Sequence, residues 1–162
     1  MSNIPSLDLN DFLSNDNNKK EAFVKSVGKA YQEIGFLSLK NHFLSNDHVE
    51  DLYKQIKSFF DMSSETKSKY EFEGFKGQRG YTSFGKEHAK GKKEGDLKEF
   101  WHFGQYLNDD DKSKFNYPEN PYVNEIPDFN KAGEVTYKAL EKTGLFVLRA
   151  IALFLDLSLI HI

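Results

Sequence analysis

The sequence predicts a mixed α+β chain in which a helical scaffold carries a few short strands. Three observations lead there. Two segments, 17–34 and 45–60, place apolar residues at helical spacing, and the short apolar run 36–40 lies between them. Residues 71–95 contain six glycines and no sustained period, and an aromatic, strand-like run follows at 97–103. Beyond Pro127 the pattern is that of one long helix over 128–157.

Composition bounds the rest. With 162 residues, 38% of them hydrophobic and 15% aromatic, residues 1–162 can bury one core and are expected to form one region. The net charge of −3, with Lys interleaved among Asp and Glu, argues against nucleic acid as a partner, since phosphate binding needs a concentrated basic surface. No cysteine is present, which excludes disulfides, thiolate nucleophiles and Cys-based metal sites. The N-terminus has no basic stretch followed by an apolar core, so a cytoplasmic location is expected. The apolar stretch 144–162 is interrupted by Arg149 and Asp156, so no membrane span is expected either.

Each element has a local reason. Residues 4–9 alternate apolar and polar side chains, with Pro5 near the start where a missing N–H costs a strand least, so an edge strand is expected. In 17–34, Ala22, Phe23, Val27, Ala30, Tyr31 and Ile34 share one helical face, and Gly35 stands where a helix ends in a left-handed residue. The run 36–40 is bounded by Gly35 and by Asn41-His42 and reads as a buried strand; helix then strand fits an α/β or α+β layer. Ser45 and Asp47 offer caps for a second helix carrying Val49, Leu52, Tyr53, Ile56, Phe59 and Phe60, and Ser63 or Ser64 for a third reaching Tyr70. A turn at 108–111 closes the aromatic run. In the last helix, Tyr137, Leu140, Gly144, Leu148, Ile151, Ala152 and Leu155 form one face and Phe146, Val147, Leu153 and Phe154 cover much of the other. A helix apolar on both sides needs cover on both sides, and no upstream segment is large enough to supply it. The chain is therefore expected to be a fragment of a longer domain, with 157–162 out of keeping with a natural end.

The candidate chemistry is sparse. Of five histidines, only His48-Val49-Glu50 has the His-x-acid form of a two-histidine, one-carboxylate iron site, and it falls in a helix, where positions i and i+2 face apart. His48 reads as a surface residue and His42 as a structural hydrogen-bonding group at a turn; no catalytic and no metal-ligating residue is assigned. Gly74, Gly77 and Gly80 lack the βαβ setting of a dinucleotide site and read as turn-formers. Lys86, Lys90, Lys92, Lys93 and Lys98 imitate a basic surface, but Glu87, Glu94, Asp96 and Glu99 cancel much of its field, leaving a solvated loop. Arg79 and Tyr81 flank Gly80, and a guanidinium beside a phenol can grip a carboxylate by charge-assisted hydrogen bonds. His102 can face core or pocket.

Taken in order, several of these pieces resemble a known family. Ile4-Pro5-x-Leu7-Asp8-Leu9, Gly35-Phe36 leading to Asn41-His42, Phe59-Phe60 with Lys67 after a serine-capped turn, Gly80-Tyr81 and Asp96-x-Lys98-Glu99 are similar to the N-terminal region of the isopenicillin N synthase-like non-haem Fe(II), 2-oxoglutarate-dependent oxygenases. The family usually has glycine after Asn-His, and Phe43 stands there instead. The resemblance implies an α+β helical region whose few strands complete a double-stranded β-helix, or jelly roll, supplied mostly by a missing C-terminal half. It implies Fe(II) and 2-oxoglutarate as cofactors, with the His-x-Asp, distal His and Arg-x-Ser that hold them in the part that follows this chain. It further implies a small-molecule substrate and a pocket wall built from Arg79 and Tyr81, with Trp101 or His102 next. Alone, the chain is expected to be inactive and to bind no iron. The competing expectation is a non-catalytic module docking a partner through the apolar helix 128–157.

Overall fold

A computed structural model describes residues 4–88, 91, 94–108, 111 and 117–158. The readings made for Lys90, Lys92 and Lys93, for Asp109 and Asp110 in the expected turn, and for 159–162 lie outside the described residues. The chain divides into two units, Met1–Ser45 with Ala139–Ile162, and Asn46–Lys138.

In the first unit, strand β1 (Ser6–Asp8) pairs in parallel with β2 (Ser38–Lys40), Leu7 opposite Leu39. Helices α1 (Leu9–Leu13) and α2 (Asn17–Glu33) form the crossover. The expected strand 4–9 is thus shorter than its pattern, because the Asp8 carboxylate accepts from Asn10 N–H at 2.9 Å and starts a helix at Leu9. Leu9, Phe12 and Leu13 at i, i+3 and i+4 are the sequence signal for α1. Asp16 caps α2 through Asn18 and Lys19 N–H, and Gly35 ends it at φ +83°. Leu9, Phe12, Phe23, Val27 and Ala150 form the buried core.

Phe43 has a clear use. Asn41 adopts the left-handed conformation at φ +54° and donates to the Asp8 carboxylate at 2.7 Å, so the turn closes without a following glycine. The Phe43 ring packs 5.5 Å from Phe146, and its N–H donates to Thr143 Oγ1 at 3.3 Å. His42 does not supply the structural hydrogen bond expected of it. It is exposed and has no such bond among the described residues.

The long helix α5 (Phe129–Phe154) runs through both units and stops earlier than 157, where Asp156 takes φ +52° and Leu157 N–H returns to the Ala152 carbonyl. Its Phe146 and Ala150 side is buried among α1 and α2 residues. Leu140, Leu148 and Leu155 on its other side stay 54%, 53% and 54% exposed. No described helix is long and apolar enough to cross a membrane.

The second unit contains α3 (Asn46–Phe60), α4 (Ser64–Ser68, capped by Ser63), a 3-10 turn (Glu73–Phe75), strands β3 (Gly80–Thr82) and β4 (Phe100–His102), and the first part of α5. The two strands pair antiparallel, Tyr81 opposite Trp101. Its core is aromatic: Phe59 is fully buried, with the rings of Trp101 at 4.8 Å, Phe129 at 5.3 Å, Tyr81 at 5.8 Å and Tyr70 at 5.9 Å. Such offset and edge contacts add about 0.5–1.5 kcal/mol each beyond area burial.

Candidate functional site

The strand pair β3 and β4 carries three of the four residues singled out as a pocket wall, and Arg79 directly precedes β3. Gly80 makes the first strand possible. It sits at φ +75°, and a Cβ there would stand 2.6 Å from the Tyr70 carbonyl oxygen. Tyr81 N–H donates to that same carbonyl at 3.0 Å.

Side chains alternate across the hairpin. Tyr81 and Trp101 point at Phe59, so their rings belong to the aromatic core; Tyr81 is 3% exposed. His102 is exposed, and its Nδ1 lies 2.5 Å from the Gly77 carbonyl oxygen, which can only accept, so that nitrogen carries the proton. Arg79 lies against Gly104 so closely that a Cβ on Gly104 would meet the guanidinium carbon at 1.6 Å. Asn120 fixes that glycine from both sides, accepting its N–H at 2.6 Å and donating to its carbonyl at 2.9 Å. Arg79 Nη1 donates to the Gln78 carbonyl at 2.8 Å, while Nε is buried with no acceptor among the described residues. The structure therefore brings the four residues to one hairpin but turns them different ways. Tyr81 and Trp101 face the aromatic core around Phe59, while His102 is exposed and Arg79 lies against Gly104.

A buried ion pair locks the hairpin to the helices. Lys67, 6% exposed, donates from Nζ to Glu99 Oε2 at 2.7 Å and Oε1 at 3.0 Å and to the Phe60 carbonyl at 3.2 Å. The Tyr81 hydroxyl donates to Glu99 Oε2 at 2.5 Å. Burial acts to raise the Glu99 carboxyl, but the Lys67 ammonium and the Tyr81 hydroxyl outweigh it and hold it below the ordinary carboxylate range. Burial first, and then the Glu99 charge, push the Tyr81 hydroxyl well above a phenol's usual range. Sequence reasoning misses this pairing. Its one signal is a lysine directly behind the aromatic face of α3, where a charge needs a partner.

At Lys98 the expected cancellation of charge is present. Lys98 bonds Glu87 at 2.7 Å and lies 3.7 Å from Asp96, so acids of the same loop do cancel it.

The family model for the non-haem dioxygenase N-terminal region, described for morphine synthesis, matches residues 4–129. The chain belongs to this family. Over 161 residues, 95% of the chain, it is 28% identical to a 1-aminocyclopropane-1-carboxylate oxidase of Dictyostelium mucoroides, covering 43% of that protein. It is 27% identical to a 2-oxoglutarate-Fe(II) type oxidoreductase, ppzD, of Metarhizium rileyi, covering 96% of this chain and 46% of that one. Among solved structures, a 2OG-Fe(II) oxygenase family protein from Caulobacter crescentus superposes on 98% of the chain with TM-score 0.79 and 32% identity, using 50% of its own length. The fold is also that of a full-length Neurospora crassa protein solved in complex with alpha-KG, at TM-score 0.77 and 24% identity, covering 96% of this chain and 48% of that one. The chain spans about half the length of the curated relatives it matches.

As a dioxygenase N-terminal region, the chain is an α+β assembly of helices with a few strands, and the cofactors of the relatives named 2-oxoglutarate-Fe(II) oxidoreductases are Fe(II) and 2-oxoglutarate. The described residues do not compose an iron site. No three His, Asp or Glu side chains gather among them, and His48 and Glu50 occupy the exposed start of α3.

Proposed function

We propose that this chain is the N-terminal part of an Fe(II)/2-oxoglutarate-dependent oxygenase that oxidises a small molecule, and that it is inactive alone. The single observation that supports this best is the superposition of 98% of the chain on half of a 2OG-Fe(II) oxygenase family protein. In this reading the remainder of the protein supplies the double-stranded β-helix, the iron ligands and the groups that hold 2-oxoglutarate. The hairpin forms one wall of the substrate pocket, with Arg79 and His102 toward the substrate and Tyr81 and Trp101 behind them. Arg79 suits an anionic group, because a guanidinium with unused donors binds a carboxylate in two parallel hydrogen bonds. Leu140, Leu148 and Leu155 are the face that the remainder covers.

The coding sequence beyond Ile162 tests this reading. An in-frame His-x-Asp, distal His and Arg-x-Ser is expected, together with 2-oxoglutarate turnover by the longer protein only. Stoichiometric Fe(II) binding by the 162-residue chain would refute it. The exposed leucines also fit a second reading, a non-catalytic module docking a partner through helix 128–157. That reading requires a monodisperse, cooperatively melting monomer with no downstream oxygenase sequence.

A further inference from the structure

We infer that the helical unit carries a second ligand site, for a small carboxylate with an apolar body, in a cleft where α1 and the start of α2 face the last turns of α5. The cleft has a volume of about 390 Å³, and its lining includes Phe12, Leu13, Lys20, Phe146, Arg149 and Leu153. That volume lies within the range of small-molecule sites, about 300–1,000 Å³.

Its chemistry is one-sided. Two cations line it and no acid does, in a chain whose Asp and Glu outnumber Lys and Arg by 25 to 22. Each cation is seated on an aromatic ring: Lys20 Nζ lies 5.1 Å from the Phe12 centroid, and the Arg149 guanidinium carbon 5.4 Å from the Phe146 centroid. Neither has a carboxylate partner among the described residues, whereas neighbouring Lys19 is held 3.7 Å from Asp11. The floor beneath the cations is apolar. Phe12 is 6% exposed and packs edge-on against Phe146 at 6.3 Å. Leu13 and Leu153 flank it, 40% and 37% exposed.

The two halves of this cleft select one ligand class. The cations favour an anion, and a carboxylate matches the Arg149 fork. The ring and leucine floor adds affinity only for a ligand with an apolar body, so simple anions bind more weakly. The site uses none of the hairpin residues and does not rest on the oxygenase reading.

Octanoate is the probe, titrated into the full chain by calorimetry, with acetate as charge without tail and octylamine as tail with the opposite charge. Octanoate is expected to bind at least tenfold more tightly than either. The double variant Lys20→Gln/Arg149→Gln is expected to lose at least tenfold in octanoate affinity with an unchanged circular-dichroism spectrum, and Leu13→Ser to weaken octanoate while leaving acetate unchanged. Equal binding of octanoate and octylamine would show a merely greasy surface and overturn the proposal. So would octanoate affinity unaffected by the double variant.

Discussion

Replacing Lys67 by Met removes the ammonium that holds the hairpin and leaves Glu99 charged in a site where its side chain is only 16% exposed. Three hydrogen bonds vanish: two to the Glu99 carboxylate and one to the Phe60 carbonyl. Breaking a buried pair from one side costs about 3–5 kcal/mol, because the partner charge stays desolvated. Glu99 keeps one partner, the Tyr81 hydroxyl, so the lower part of that range is expected, about 3 kcal/mol. The Lys67→Met/Glu99→Gln double variant removes both charges and is expected to lose about 1–2 kcal/mol less than the sum of the single variants, the signature of direct coupling. Urea unfolding followed by tryptophan fluorescence is the assay, since Trp101 reports on this hairpin and is the chain's one tryptophan. Additive losses, or a Lys67→Met loss below about 1 kcal/mol, would refute the argument that this pair is buried and coupled.

The same pair sets an acid limit. Glu99 is held below its ordinary 4.5, so its contribution is present above that value and is lost as pH falls through the lower folded value; Glu99→Gln should flatten the fall in stability below about pH 4.5 in a melting-temperature series. Tyr70, Tyr81 and Tyr106 all titrate above the usual 10, Tyr70 through burial first and then its hydrogen bond to Glu125, Tyr106 at about 12 through burial first and then Glu134 and Tyr137, so ultraviolet titration should show three late phenols, one of which is lost in Tyr106→Phe. Phe59→Ala empties the centre of the aromatic core and is expected to cost about 3–5 kcal/mol by chemical denaturation. Gly104→Ala drives a methyl into the Arg79 guanidinium; if the proposed function holds, the longer protein carrying it is expected to show KM for an anionic substrate raised more than kcat is lowered, and equal effects on both would count against Arg79 as a binding group.

Much of this protein is local and therefore legible in sequence. The faces of α2 and α3, the Ser63 cap, the left-handed Gly35 and the glycine turn before Tyr81 each follow from residues within a few positions of one another, where spacing and backbone preference decide the outcome. The family is also written there, in ordered short motifs spread from Ile4 to Glu99. What the tertiary structure alone decided are the pairings over long separations. Whether Tyr81 and Trp101 face a pocket or a core turns on strand register, which places both over Phe59, and period-two alternation cannot choose between two partly apolar faces. Lys67 and Glu99 stand 32 positions apart, and no spacing rule joins them. Phe43 departs from the family pattern as a sequence, yet in the fold it packs, partly buried, onto the core against Phe146, because Asn41 supplies the backbone conformation for which glycine is otherwise kept.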